Sequence, residues 1–413
     1  MRALAVLDEA DSFVDPLAPS IPFGEGMEGF FATRGRAAMR RIELLVQLGH
    51  PEQAMTAARR WRSRALDALS LSASVGQLGP EARGRWEDAV GRYRAIRDAT
   101  DAETAKDWQL SADRLATARA RRDETARRSR TLLDDALSVV PRARQVARPP
   151  TPLRADELEL LYAPTPSGWL GFARTATELV ARPIGPVDSH AAANDLAQAL
   201  LGPFDAAIAK ARTIRFLPYG PARAVDLHAL PWRGRALLEH AVVEYGLGLD
   251  EGVVDAPQTR RALVVADSSQ DLPGSRAEGD AVAAALGRTG WTVDDLRGAE
   301  TGGEAVRRAL ATVNLLHYAG HASFGAPDGI DSALSLAGGS RLTPADVLTL
   351  PRVPERVALF GCDTAHESAT GTIDSLGLTS AFLLKRCRLI AGRQIPDRMI
   401  SISYPNEEPS RID

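Results

Sequence analysis

The sequence of 413 residues predicts an α/β fold, a mainly parallel sheet with helices on both faces, preceded by an all-α helical arm. Two observations carry that prediction. From Arg261 onward, short apolar runs such as Ala262-Leu-Val-Val-Ala266 and Leu315-Leu-His-Tyr-Ala319 alternate with longer segments of helical spacing, and strand and helix in turn imply parallel strands joined by crossovers. Between about residues 32 and 137, by contrast, Ala, Leu, Arg and Glu recur with apolar residues three and four apart.

Length and composition set the outer limits. A chain of 413 residues exceeds what one core usually organises, so more than one part is expected. With 45% hydrophobic and 25% charged residues it reads as an ordinary globular protein, and a net charge of -3 gives no global basic field for nucleic acid or an anionic membrane. The apolar run after Met1 is too short for a signal peptide and no later stretch approaches a membrane span, so a cytoplasmic location is expected. Two cysteines, Cys362 and Cys387, cannot build a disulfide framework, and no Cys-x-x-Cys pair suggests zinc. No cofactor or metal is expected, and a thiol in a reducing compartment stays free to react.

In chain order, the expected parts are an N-terminal segment (1–31), a helical region (32–140), a linker (141–152) and an α/β domain (153–413) with its core at 261–392. Residues 37–48 form one helix, Gly49-His-Pro51 breaks it, and Glu52 begins the next, an antiparallel pair. Its Leu48-Gly49 turn, followed by Glu52 and Ala54, weakly resembles one tetratricopeptide-type unit, with no second copy at the expected period. Further helices are expected over about 80–100, with Trp86, Tyr93 and Ile96 on one face, and over about 102–137. The arginine clusters Arg59-Arg60, Arg121-Arg122 and Arg127-Arg128 read as a solvated face threaded with acids rather than a binding surface. Trp61 and Trp86 read as core.

Pro149-Pro150 ends the helical texture. Glu157-Leu-Glu-Leu-Leu-Tyr162 and Gly168-Trp-Leu-Gly-Phe-Ala-Arg174 then read as a hairpin, residues 191–201 as a helix and Thr213-Ile-Arg-Phe-Leu-Pro218 as a strand. His228, between Leu227 and Leu230, reads as a packed, hydrogen-bonded histidine, and His190 and His240 are weaker candidates for chemistry. Beyond Arg261 come helices at 278–287 and 304–311, a strand at 291–293, a small hairpin at 332–339, a helix capped by Thr343, a helix at 375–384 and a last strand at 389–391.

The chemistry concentrates at two strand ends, Leu315-Leu-His-Tyr-Ala-Gly-His321 and Val357-Ala-Leu-Phe-Gly-Cys362. Both reactive residues fall at the carboxyl edge of a strand, where open α/β sheets bind ligands. Side by side, His321 would be the base for the Cys362 thiol, since a thiol is a poor nucleophile at neutral pH until its thiolate is favoured. Gly320 and Gly361 let the backbone turn tightly, and N–H groups at Ala322 and Cys362 would point at a tetrahedral oxyanion. Acyl transfer, most simply peptide hydrolysis, is the reaction this set suits. The His317-x-x-x-His321 spacing suggests a metal site only on a helix; on a strand the two lie roughly 13 Å apart. His317 therefore reads as structural, and His366 as a rival base in a Thr/Ser/Gly-rich segment.

At these residues the sequence resembles the CHAT domain family. His317-Tyr-Ala-Gly-His321-Ala, Asp331-Ser-Ala-Leu-Ser-Leu336, Leu342-Thr-Pro-Ala-Asp346-Val and Ala358-Leu-Phe-Gly-Cys362-Asp-Thr match in order and spacing. The resemblance implies a caspase-like cysteine peptidase, related to separase and caspases, with His321 and Cys362 as catalytic dyad. It also implies action on partner proteins in bacterial defence or regulated cell death, with the helical region engaging a protein substrate or activator. Asp331 and Asp363 are expected to shape the site, one on each loop, and Asp397 to contact a basic substrate side chain. Arg393-Gln-Ile-Pro-Asp397 departs from the family's Leu-Trp-x-Val-type loop, which makes a shortened C-terminus the expectation. The alternative is a catalytically inactive scaffold that binds partner proteins.

Overall fold

In the computed structural model, Pro51 and Pro80 each occupy the first position of a helix, where a missing N–H costs nothing. The structure describes residues 2–14, 25–69, 78–104, 107–139, 152–247, 260–325, 329, 331–362, 364, 377–385, 387, 389–395 and 398–403. Its first helices are α1 (Arg2–Ser12), α2 (Glu25–Gln47), α3 (Pro51–Leu69), α4 (Pro80–Thr104) and α5 (Ala112–Val139). Gly49, at φ 78°, turns α2 into α3 in a left-handed conformation that a side chain would strain.

Two expectations about the arm change. The segment before residue 32 is helical where described, with α1 in it and α2 beginning at Glu25. The continuous helix expected from residue 102 is broken: α4 ends at Thr104, a 3-10 turn spans Asp107–Gln109, and α5 starts at Ala112. The Arg122 guanidinium forks onto both Asp107 carboxylate oxygens and ties that turn to α5. A pattern that stays amphipathic through polar residues hides such a break. The linker at 141–152 lies, save for Pro152, outside the described residues.

Strands β1 (Glu157–Thr165), β2 (Gly168–Arg174) and β3 (Leu179–Gly185) form an antiparallel meander. Helices α6 (Ala193–Leu200) and α7 (Asp205–Ile208) lead to β4 (Thr213–Pro218), the small hairpin β5 (Pro231–Trp232) and β6 (Arg235–Ala236), and β7 (Val242–Tyr245). The alternating part follows as β8 (Arg261–Ala266), α8 (Pro273–Arg288), β9 (Thr292–Arg297), α9 (Gly303–Leu310) and β10 (Leu315–Ala319). After it come β11 (Ala322–Ser323), β12 (Ala333–Ser335), β13 (Arg341–Leu342), α10 (Pro344–Leu348), β14 (Arg356–Phe360), α11 (Leu378–Leu384), β15 (Leu389–Ile395) and β16 (Arg398–Ser403).

Among the described residues, a sheet of eleven strands runs β3-β2-β1-β4-β7-β16-β15-β14-β10-β8-β9. From β15 to β9 every pairing is parallel, as are β1 with β4 and β4 with β7. The mainly parallel sheet predicted from strand–helix alternation is therefore present. The regular pattern does not end at residue 391: β15 continues to Ile395, and β16 pairs antiparallel with β15 and parallel with β7 through Ser401 and Glu244. Alternation in Arg398-Met-Ile-Ser-Ile-Ser403 was the missed signal. The hairpin expected at 332–339 is present and runs further, from β12 through Ala337–Gly339 into antiparallel β13, and β11 joins it in a separate three-stranded sheet β11-β12-β13.

Helices cover both faces. Alternation on β1 turns Leu158, Leu160 and Tyr162 toward Leu200, Phe204 and Ile208, and the Tyr162 hydroxyl donates to the Leu200 carbonyl. On the other face Leu161, Ala163, Leu170 and Phe172 pack against Ile42 and Leu45 of α2 and Ala54, Met55 and Ala58 of α3. Arg59 belongs to that contact, reaching Glu159 at 2.8 Å rather than solvent, and Arg62 donates to the Gly246 carbonyl at 2.9 Å. Arg121 and Arg127 do pair with acids on exposed faces of the arm, Glu103 and Glu124. Trp61 and Trp86 are buried, as read. Around β8, β10 and β14, the residues Leu263, Val265, Leu316, Tyr318, Val357 and Leu359 join the core cluster of α9, α10 and α11, while α8 lies against the opposite face, where Gly279 meets Ala266.

Candidate active site

Strands β10 and β14 are nearest neighbours and pair in parallel from Leu315 with Arg356 to Ala319 with Phe360. His321 and Cys362 each lie two residues beyond that last pair, in the segments that leave the carboxyl ends of adjacent strands about 5 Å apart. Gly361 allows the close approach of the two chain ends: a Cβ there would sit 2.7 Å from the Ala322 Cβ and 3.0 Å from the Gly320 carbonyl oxygen. Gly320 is needed for a similar reason, since a Cβ would sit 2.8 Å from the Tyr318 hydroxyl.

The backbone at His321 is held from two sides. Its carbonyl accepts the Ser335 N–H at 2.9 Å and the Tyr318 hydroxyl. That hydroxyl also lies 2.9 Å from the Ser335 carbonyl oxygen, and burial pushes the Tyr318 phenol up, so it stays a donor. The Tyr318 side chain, rooted in the core, thus locks the first residues after β10 onto β12. The His321 imidazole stands half-exposed, with Nε2 at 3.1 Å from both carboxylate oxygens of Asp271.

Cys362 is exposed, whereas Cys387 is fully buried. The Cys387 Sγ lies 3.2 Å from the Leu389 carbonyl and 3.3 Å from that of Glu355, and burial pushes its thiol up, so only one of the two thiols is placed to react. The turn that carries Cys362 is anchored by buried Thr364, whose hydroxyl lies 2.9 Å from the Leu359 carbonyl and 3.2 Å from that of Gly361. Thr379 of α11 donates to the Thr364 carbonyl at 2.8 Å and joins the turn to that helix.

Other candidates separate clearly. His317 is buried, with Nε2 at 3.0 Å from Glu278 of α8 and its ring against Phe360, centroids 5.1 Å apart. Among the described residues no group of three His, Cys, Asp or Glu side chains converges as a metal site. His228 is packed and hydrogen-bonded, Nδ1 lying 2.7 Å from the Tyr245 hydroxyl. Asp331 pairs with Arg97 of α4 at 3.4 Å, and its carbonyl accepts from Arg341 at 2.7 Å, which places the loop it occupies against the arm. Asp363, His366 and Asp397 lie outside the described residues. One acid, Asp271, carries no signal in the sequence, and the arginine partners of Asp346 carry none either. Asp271 sits 50 residues from His321 with no motif around it, and buried Asp346 caps α10 with Thr343 while facing Arg94 and Arg307.

A CHAT domain family model matches residues 190–399, just over half of the chain and including both strand ends. The chain belongs to the CHAT domain family. No curated protein matches it. Among solved structures, a chain of the Saccharomyces cerevisiae separase–securin complex is similar at 13% sequence identity and a TM-score of 0.30, over 44% of this chain and 12% of that one.

Proposed function

We propose that the chain is a cysteine endopeptidase that cleaves partner proteins through Cys362 and His321. The observation that supports this reading is that the two residues each follow, by two positions, the last pair of adjacent parallel strands, with an exposed thiol on one and a half-exposed imidazole on the other. His321 takes the Cys362 proton as Sγ attacks the scissile carbonyl carbon. The proton then passes to the leaving amine as the C–N bond breaks, and water hydrolyses the thioester to free the enzyme.

The oxyanion of the tetrahedral intermediate needs donors beside Sγ. Because Ser335 donates to the His321 carbonyl, alternation of the antiparallel ladder turns the next N–H, that of Ala322, away from β12. Ala322 is thus a supported donor, together with the Cys362 N–H. The Gly320 N–H is directed at the Phe360 carbonyl at 3.4 Å and serves the strand pairing instead. The helical arm is the part suited to hold a protein substrate or activator, as it already contacts the loop at Asp331.

The test is labelling with a library of acyloxymethyl ketone peptides. Covalent modification at Cys362 is expected to vanish in Cys362→Ala and to fall by about 100-fold or more in His321→Ala, the scale on which general bases act. If no peptide labels Cys362 faster than buried Cys387, even with cell extract present to supply an activator, the chain is a non-catalytic scaffold that binds partner proteins.

A further inference from the structure

The His321–Asp271 contact rests on a loop built with unusual care. Between β8 and α8 the backbone passes through two left-handed non-glycine residues, Asp267 at φ 49° and Gln270 at φ 61°. Such conformations persist where the surroundings over-determine them, and they cluster at functional sites. Here the surroundings are explicit. The Asp267 N–H donates to the Ala319 carbonyl at 3.0 Å, fastening the loop to the end of β10 just before Gly320-His321. The buried Asp267 carboxylate accepts the Leu272 N–H at 2.8 Å and the Arg276 Nε at 2.9 Å. Burial pushes this carboxyl up, but the Leu272 N–H and the Arg276 guanidinium outweigh it and hold it below its ordinary range. Gln270 fills the space over Gly298, where a Cβ would lie 2.2 Å from the Gln270 Nε2.

The bracing leaves the Asp271 carboxylate facing the imidazole. Its side chain is 58% exposed and that of His321 47%, and a pair so open to water contributes little to stability. Stability therefore does not account for the strained, clamped loop; geometry does. A carboxylate with both oxygens at 3.1 Å from Nε2 accepts a hydrogen there, which leaves the Nδ1 lone pair as the basic site of a neutral ring.

We propose that Asp271 is a positioning residue that holds His321 in the Nε2–H tautomer and turns Nδ1 toward the Cys362 thiol. This rests on the reading of His321 and Cys362 as base and nucleophile. Asp271 acts through the imidazole and touches no substrate, and the loop 267–272 serves as its mount.

The test uses the full chain and iodoacetamide, a small neutral electrophile that needs no substrate pocket, with Cys387 as internal control. Asp271→Asn is expected to slow Cys362 alkylation by about 10-fold or more, at least the effect of removing the carboxylate that orients a metal-bound imidazole. Asp271→Glu is expected to recover part of that loss. The 15N spectrum of histidine-labelled protein, with His321 assigned by the His321→Ala variant, is expected to change from the Nε2–H form to mixed tautomers in Asp271→Asn. Asp271→Ser provides the same two readouts should the Asn variant fail to fold. Alkylation at the wild-type rate with an unchanged tautomer in Asp271→Asn overturns the role of Asp271 alone, provided His321→Ala does slow Cys362. If His321→Ala leaves the Cys362 rate unchanged, the base–nucleophile reading falls and the Asp271 role falls with it.

Discussion

Lys385, the residue that closes α11, illustrates how a single side chain can oppose the fold that contains it. It is buried, its Nζ has no hydrogen-bond partner among the described residues, and burial depresses its ammonium to about 8. The unfolded chain holds that proton up to the ordinary value of 10.5, so between about 8 and 10.5 it binds more protons than the folded chain and stability rises with pH. Below pH 8 the penalty is complete. Lys385→Met is therefore expected to stabilise the protein at pH 7 by about 3 kcal/mol and to have almost no effect near pH 10.5. Urea unfolding at the two pH values checks both the size and the direction. Gly320 and Gly361 show the opposite case, in which a missing side chain is the requirement, because the Tyr318 hydroxyl and Ala322 occupy the space a Cβ would need.

At the scale of elements, α4 joins the arm to the α/β part next to the candidate site. Arg94 and Arg97 reach Thr349 and Asp331, and Tyr93 packs beside Thr343 and Asp346. Asp346 is the centre of this joint: its carboxylate accepts the Thr343 N–H at 3.1 Å and hydroxyl at 2.9 Å, and faces Arg307 at 3.7 Å and Arg94 at 3.9 Å. Asp346→Ala removes the carboxylate half of the capping box and leaves two arginines without that carboxylate, with an expected loss of about 3 kcal/mol, measured as a lower unfolding midpoint in urea. Asp346→Asn, which can still accept from Thr343, is expected to lose less. The Thr343 cap was legible because Thr-Pro-Ala-Asp is a local signal for a helix start. Its arginine partners were not, since Arg94 and Arg307 come from elements far apart in the chain.

Across the whole molecule, four buried tyrosines share one pH dependence. Burial raises Tyr93 to about 12 and pushes Tyr162, Tyr245 and Tyr318 higher still. A phenol whose folded-state pKa is raised contributes stability that is complete below the unfolded value of 10.0 and is lost as pH rises toward the folded value. The unfolding free energy is therefore expected to fall steadily above pH 10, and Tyr93→Phe to make that fall shallower between pH 10 and 12, as denaturant titrations at fixed pH would show. The strand–helix alternation from β8 to β15 and the placement of His321 and Cys362 at strand ends were determined by the sequence alone, because apolar periodicity and helix caps are local properties that a short stretch of chain expresses by itself. Only the tertiary structure decided that β16 joins the two halves of the sheet, that Arg59 turns to Glu159, and that Asp271 faces His321. Those contacts link residues with no common period or motif. They exist because packing brings distant backbone together, as it does where Asp267 fastens its loop to the end of β10.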